Sequence, residues 1–381
     1  MKSFHRILLF TILLSFPVGC SNAQTPGNVQ ERPDKCSFLY TGYMGFSPWP
    51  YDLTGSAVEK TYNFINQNAT IISHHLDGGV PWNEALNDTD FPAHLKEDWN
   101  RRTSLSSSHL KTFLSITPLS FNRDSLAPNW GETSENQPLP SHWRSKRLND
   151  PEVKKAFANY ALRAVDHFKP DYLAIGIESN IIITKAPSMW PAYMELHRHT
   201  YKKVKQKHPS LPVFATVQYE HMRGIEDAAK PNLQKQNPAV RDLMKYSDLM
   251  GLSTYRYGSL HPNPPRPDYF KQALAFGKTI AIAESGAMSK TTRVMGMNLK
   301  SNQKIQREFI QMLLTQGRKH DFPFIINWLA IDFNDMLPKL PSEAQELAKA
   351  WVHHGMLDSA HTPKQALRVW QRNVQGNNRC L

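Results

Sequence analysis

Cysteine is nearly absent: the 381-residue chain has three, at positions 20, 36 and 380. Cys20 and Cys36 have no metal-ligand spacing, so a cysteine-held zinc or iron–sulfur centre is not indicated. Long apolar runs are missing too, and the run Ile7 to Val18 is too short to cross a bilayer. No glycine-rich phosphate turn follows the first apolar run of the mature region, which argues against a dinucleotide-binding open sheet. Neither a Gly-x-Ser-x-Gly elbow nor a His-x-His pair occurs at the strand ends, which argues against a serine hydrolase and a catalytic metal. The formal charge is +12, yet no dense basic run is interleaved with aromatics as nucleic-acid binding requires. Lysines dispersed over solvated helix faces account for that charge, although a mildly anionic polymer or an acidic surface could exploit it. No motif calls for a cofactor.

The first 23 residues have the pattern of an export signal. Lys2 and Arg6 precede the apolar run, and small residues follow it. Its end has two readings. Gly19-Cys20 fits a lipobox, which would attach a lipid to Cys20, although Pro17 stands where leucine is usual. Ser21-Asn22-Ala23 fits ordinary signal-peptidase cleavage. Residues 24–36 are polar and carry prolines without an apolar period, the composition of a tether. An oxidising compartment would allow Cys36 and Cys380 to pair and tie together the two ends of the domain that begins at residue 37.

From there the chain alternates short apolar runs with longer amphipathic stretches. The runs are Phe38 to Met44, Ala69 to His74, Thr112 to Leu119, Tyr172 to Ile177, Val213 to Gln218, Leu249 to Tyr255, Thr279 to Ala283 and Phe324 to Leu329. Between them, helices are expected over Glu152 to His167, Trp190 to Lys207, Asn302 to Arg318 and Glu343 to His353. Asp150-Pro151-Glu152 starts one of these with a cap residue, a first-turn proline and an early acid. Eight strands alternating with helices predict a single (β/α)8 TIM barrel with long strand-to-helix loops. Two loops stand out: Phe121 to Leu148 after the third strand, and the proline-rich His261 to Asp268 after the sixth.

Two glutamates close apolar runs: Glu178 ends Tyr-Leu-Ala-Ile-Gly-Ile-Glu, and Glu284 ends Thr-Ile-Ala-Ile-Ala-Glu. In a barrel, the carboxyl ends of the strands gather on the face that carries chemistry. Two carboxylates opposed there at roughly 5 to 5.5 Å suit retaining cleavage of a glycosidic bond, with one as acid/base and one as nucleophile. Glu178 fits the first role and Glu284 the second. Tyr255 ends the sixth strand and is placed to donate to Glu284, though it also reads as a core aromatic. Trp328 offers an indole face for a sugar ring. Tyr43, Gln218 and Tyr219 also sit at expected strand ends, as candidates for binding hydroxyls. The second strand ends His74-His75-Leu76-Asp77. Adjacent histidines point to opposite faces, so only one of them can join Asp77 in contacting substrate. His75 is the candidate.

These stretches together resemble clan A glycoside hydrolases, most closely the family 53 endo-β-1,4-galactanases. Phe157 to Glu178 resembles the helix and fourth strand that deliver the clan's acid/base, and Ile282-Ala283-Glu284-Ser285-Gly286 its nucleophile strand. Ser253-Thr254-Tyr255 resembles the strand with the supporting tyrosine. Gly355-Met356-Leu357-Asp358, with Pro363 to Leu367 and Trp370, resembles the closing segment. The resemblance implies a glycosidase acting on a polysaccharide or oligosaccharide by double displacement, and the N-terminal signal implies its export. Two positions differ: Ile177 stands where the clan has asparagine, and the second strand lacks the clan's arginine. A carbohydrate-binding barrel without catalysis is the alternative that Ile177 leaves open.

Overall fold

Parallel strands form the centre of the protein, seen in a computed structural model that describes residues 39–225, 233–257 and 266–380. The expected export signal and tether, Cys20, the expected Cys36–Cys380 pairing and most of the 261–268 loop lie outside the described residues. The strands are β1 (Tyr43–Phe46), β2 (Ile71–Leu76), β3 (Lys111–Ile116), β4 (Tyr172–Ala174), β5 (Val213–Phe214), β6 (Thr216–Gln218), β7 (Met250–Arg256), β8 (Ile280–Ala287), β9 (Lys290–Val294), β10 (Met297–Asn302) and β11 (Phe324–Asn327). Nine of them form one sheet in the order β5-β4-β3-β2-β1-β11-β8-β7-β6. β5 and β6 are two halves of one stave split at Ala215. The Thr216 amide donates to the Gly176 carbonyl at 2.8 Å, so the sheet's two edges meet and the barrel closes with the eight staves expected.

The staves read as continuous apolar runs because both of their faces are covered. β7 and β8 are buried at every position. Inside the barrel, Ile71, Phe113, Phe214, Phe324 and Ile326 form one cluster with Ala174, Ala281 and Ala283. The three phenylalanines come from β3, β5 and β11, and Phe113 lies 4.9 Å from Phe324 and 5.8 Å from Phe214, centroid to centroid. Alanines on the neighbouring staves leave room for these rings. Gly45 is required on β1, because a Cβ there would lie 1.7 Å from the Ile71 carbonyl oxygen.

Helices pack around the sheet. Pro151–Phe168, Trp190–Lys207 and Gln303–Lys319 fall within one or two residues of the expected spans. Asn302 caps the last of these, accepting from the Ile305 amide at 3.0 Å. The fourth expected helix ends early, at Ala348. Beyond it the chain turns inward to bury Val352, His353 and His354, and the buried Asp332 accepts from the Gly355 amide at 2.9 Å and pairs with the Lys364 ammonium at 2.6 Å.

The first strand begins later than its apolar run suggested. Tyr40 lies below the sheet and donates its hydroxyl to the Phe322 carbonyl at 2.6 Å, while its amide donates to Asn373 at 3.0 Å. Trp370 seals the same region: its indole N–H donates to the Asn68 carbonyl at 2.9 Å, and its ring lies 4.8 Å from Phe46. Trp370→Ala is expected to destabilise the protein by about 3–5 kcal/mol, read as a lower urea midpoint at unchanged m-value. A loss under ~1 kcal/mol would show that the closing helix is not anchored there.

The long segment after β3 packs against the segment after β2 through aromatics. Trp143 donates to Asn83 at 2.6 Å and lies 5.2 Å from Trp82. Trp82, Trp130 and Trp143 are all buried, so none of them lines an open surface. A hairpin of β9 and β10 follows β8, unforeseen in the sequence. Its turn is Met295-Gly296, both with positive φ (45° and 83°), as a tight hairpin of this hand requires.

Candidate active site

The carboxyl ends of β2, β4, β7, β8 and β11 converge on one constellation. Glu284 is aimed by an irregularity in its strand. The β7–β8 register runs Leu252 to Ile282 and then Ser253 to Glu284, so Ala283 is an extra residue. Such a bulge turns the next side chain toward a new direction. The Glu284 carboxylate is 8% exposed. One oxygen, Oε2, accepts from the Tyr255 hydroxyl at 2.8 Å. The other, Oε1, faces His75 Nδ1 at 3.3 Å.

Glu178 is positioned differently. β4 stops at Ala174, and four residues later Glu178 takes a left-handed backbone (φ 48°, ψ 43°). That conformation costs a non-glycine residue on the order of 1 kcal/mol and has to be imposed from outside. Here the Glu178 amide donates to Thr216 Oγ1 at 2.8 Å. The Ile177 carbonyl accepts from Arg123 Nε at 2.9 Å. Arg123 is itself fixed by the Ser120 and Phe121 carbonyls at 2.9 and 3.0 Å, and its Nη2 lies 3.9 Å from Glu178 Oε2. Burial, then the negative charge of Glu284, raise the Glu178 pKa to about 7 against the pull of Arg123 and His75. A carboxyl held near neutrality beside a second carboxylate has the properties of a general acid.

The second strand obeys its alternation. His74 points outward, is buried, and packs on Phe168 at 5.1 Å. Burial lowers its pKa to about 3. His75 points inward, with Nδ1 toward Glu284 and Nε2 3.5 Å from Asp77 Oδ2. Ser115 Oγ lies 3.2 Å from Nδ1. Burial disfavours the charged ring, but Asp77 and Glu284 outweigh it and raise the His75 pKa. Burial pushes the Asp77 carboxyl up, while His75 and Arg123 bring it down to about 2. Among the described residues no three His, Cys, Asp or Glu side chains are arranged to hold a metal ion.

Aromatic surfaces flank the carboxylates. Trp328 lies 5.4 Å from the His75 ring and 5.8 Å from Trp49, which is 38% exposed. Two indoles at the barrel mouth, one of them partly exposed, offer an apolar face to a sugar ring. Tyr255, Tyr257 and His354 form a three-ring cluster, with Tyr255 5.8 Å from each of the others and those two 6.0 Å apart. Gly286 leaves the room this needs, since a Cβ there would meet His354 Nδ1 at 2.4 Å. Behind Tyr255, the buried Glu220 accepts from its amide at 3.3 Å.

Six of the sequence candidates therefore meet: Glu178, Glu284, His75, Asp77, Tyr255 and Trp328. Three do not. Tyr43 begins β1 rather than ending it and sits at the opposite mouth, near Lys111 and Tyr172. Tyr219 is fully buried and donates to the Tyr269 carbonyl, because the chain turns into a short helix at that residue. Gln218 caps that helix, accepting from the His221 amide at 2.9 Å. Sequence reasoning missed Arg123. Its loop was expected on this face, but nothing in the sequence singles out that arginine.

Neither a family model nor any curated protein matches the chain. Solved structures do. An exo-β-1,4-mannosidase from Opitutaceae bacterium strain TAV5 aligns with TM-score 0.59 at 14% identity, covering 90% of this chain and 62% of its own. The chain thus spans less than two thirds of that protein's length. The Ignisphaera aggregans GH53 catalytic domain aligns with TM-score 0.53 at 14% identity over 88% of this chain and 96% of its own. A GH5_18 protein from Bifidobacterium longum, solved with Manβ1-4GlcNAc, aligns with TM-score 0.56 at 11% identity over 89% and 79%. The fold is a TIM barrel shared with these three proteins. At these identities the likeness concerns the barrel, and the chemistry rests on the site's own geometry.

Proposed function

We propose that this protein is a retaining glycoside hydrolase acting on a polysaccharide or oligosaccharide. The observation that carries the reading is the unequal pair of carboxyls in one barrel mouth: Glu178 has its pKa raised to about 7, and Glu284 accepts a phenol hydrogen bond at 2.8 Å. In the first step Glu284 attacks the anomeric carbon as the Glu178 proton passes to the leaving oxygen, giving a glycosyl-enzyme ester. In the second, Glu178 takes a proton from water, which displaces Glu284 with a second inversion. Trp328 and Trp49 supply the apolar face beneath the sugar.

Ile177 favours a second reading, a carbohydrate-binding barrel without turnover. It is buried at 1% exposure and offers no polar group to a sugar hydroxyl. The nearby Asn180 does not replace one, since its amide group is engaged by Gln218 and Gln236. A panel of polysaccharides, β-1,4-mannan and galactan included, separates the two readings. Released sugar supports the enzyme. Binding of a glycan with no release from any member of the panel supports the binder.

Tyr255→Phe is expected to lower kcat by about 10- to 100-fold with KM little changed, since a hydrogen bond to a charged group contributes ~1.5–3 kcal/mol. Steady-state kinetics read this directly, and an unchanged kcat would remove the phenol from the mechanism. The export signal extends the proposal to a site outside the cytoplasm, with Cys20 as the position of a lipid anchor if the lipobox is used. Mass spectrometry of the mature N-terminus distinguishes a diacylated Cys20 from a chain starting at Gln24.

A further inference from the structure

We propose that His75 is a positioning residue that works as a cation shared by two carboxylates, tying the ionised state of Glu284 to an imidazole rather than to a permanent charge. The proposal rests on the reading of Glu284 as nucleophile, and it begins from proton counting. His75 presents Nδ1 to Glu284 at 3.3 Å and Nε2 to Asp77 at 3.5 Å. A neutral imidazole carries one N–H and no charge, so it can serve at most one of these acids, and its free Nδ1 would accept from the Ser115 hydroxyl at 3.2 Å. Only the imidazolium serves both. The ring cannot easily turn away, because Trp328 stands edge-on to it at 5.4 Å and its side chain is only 11% exposed.

The surrounding charges favour the same state. From its own strand's end His75 faces Asp77, from β8 it faces Glu284, and Glu178 beyond β4 interacts with it. Arg123, from the loop after β3, opposes the charge. Ser115 on β3 faces the ring as a neutral hydroxyl, and Tyr255 on β7 is occupied by the other oxygen of Glu284. Three acids thus share two cations, Arg123 and His75. Arg123 is held to backbone carbonyls and to the Glu178 side of the mouth. The charge beside Glu284 is therefore left to His75.

This arrangement makes the site sensitive to pH through two groups. Loss of the Glu178 proton removes the acid, and loss of the His75 proton leaves Glu284 and Asp77 with one N–H between them. The alkaline limb of kcat/KM should then fall with a limiting slope of two protons.

The test joins a spectroscopic arm to a kinetic one. Nitrogen-15 NMR of labelled histidines, with His75 assigned by its loss in His75→Gln, should show both ring nitrogens protonated at neutral pH. Asp77→Asn and Glu284→Gln, which keep shape and remove charge, should each lower the His75 midpoint by about one pH unit or more. In His75→Gln, kcat should drop while the remaining alkaline limb falls with a slope of one. One protonated nitrogen at neutral pH, or a midpoint that neither substitution moves, would overturn the proposal. If His75→Gln does not fold, assignment through His74→Gln and the other single-histidine variants keeps the nitrogen-15 measurement decisive. Because that arm needs no turnover, it separates failure of this inference from failure of the hydrolase reading.

Discussion

Glu284→Gln is expected to cut turnover by about 10⁴-fold or more while leaving carbohydrate binding within a few-fold of wild type. Glutamine keeps the size of the side chain and its place after the Ala283 bulge, but it cannot form the glycosyl ester. The same variant carries a second signature. The negative charge of Glu284 is one reason the Glu178 pKa stands near 7, so removing it should move the Glu178 midpoint toward the ordinary carboxyl range. Carbon-13 NMR of the Glu178 carboxyl reads that shift. A midpoint that stays near 7 would mean that the two groups are not electrostatically linked, and the division of roles would lose its basis.

Glu178→Gln is expected to lower kcat by roughly 10²- to 10⁴-fold on unactivated glycosides, the usual range for a general acid. The loss should shrink on aryl glycosides whose leaving groups depart without a proton. In the wild type, activity should fall as the pH rises through about 7, because the acid form of Glu178 is consumed, and in the variant the Glu178 share of that fall should vanish, leaving the one-proton fall ascribed to His75. Stability falls in the same direction. The folded-state pKa of Glu178 is raised above the unfolded value, so its stabilising protonated form is complete below about pH 4.5 and lost as the pH climbs through about 7. Above that range the half-buried, ionised carboxylate lowers stability. The glutamine variant should therefore melt higher than wild type at pH 8 and match it at pH 4. A variant that loses activity and also melts lower at pH 8 would point to a structural role for Glu178.

The barrel was legible because its staves are buried on both faces and so leave apolar runs that polar helix faces interrupt. Glu284 was legible for the same reason: a carboxylate that ends such a run has little to do in a core. What the pattern cannot carry is where a run stops being strand. Residues before Tyr43 are apolar because Tyr40 fills the base of the barrel, and that contact misplaced Tyr43 at the active mouth. Tyr219 and Gln218 failed similarly, since the helix at Tyr219–Arg223 starts without a break and carries the tyrosine sideways into the core. The bulge at Ala283 and the left-handed turn at Glu178 are set by partners distant in sequence, Ser253 in one case and Thr216 with Arg123 in the other. No local pattern announces them. The His74-His75 pair was read correctly to one inward ring, because strand alternation is a local rule.

The stereochemistry of the first product tests the central claim most directly. Proton NMR of the anomeric region, followed from the first minutes of hydrolysis of whichever polysaccharide in the panel is cleaved, distinguishes retention from inversion before mutarotation blurs them. Double displacement through Glu284, with Glu178 as acid/base, predicts that the retained anomer appears first and the other only later. Prompt appearance of the inverted anomer would contradict the mechanism and remove Glu284 from the role of nucleophile.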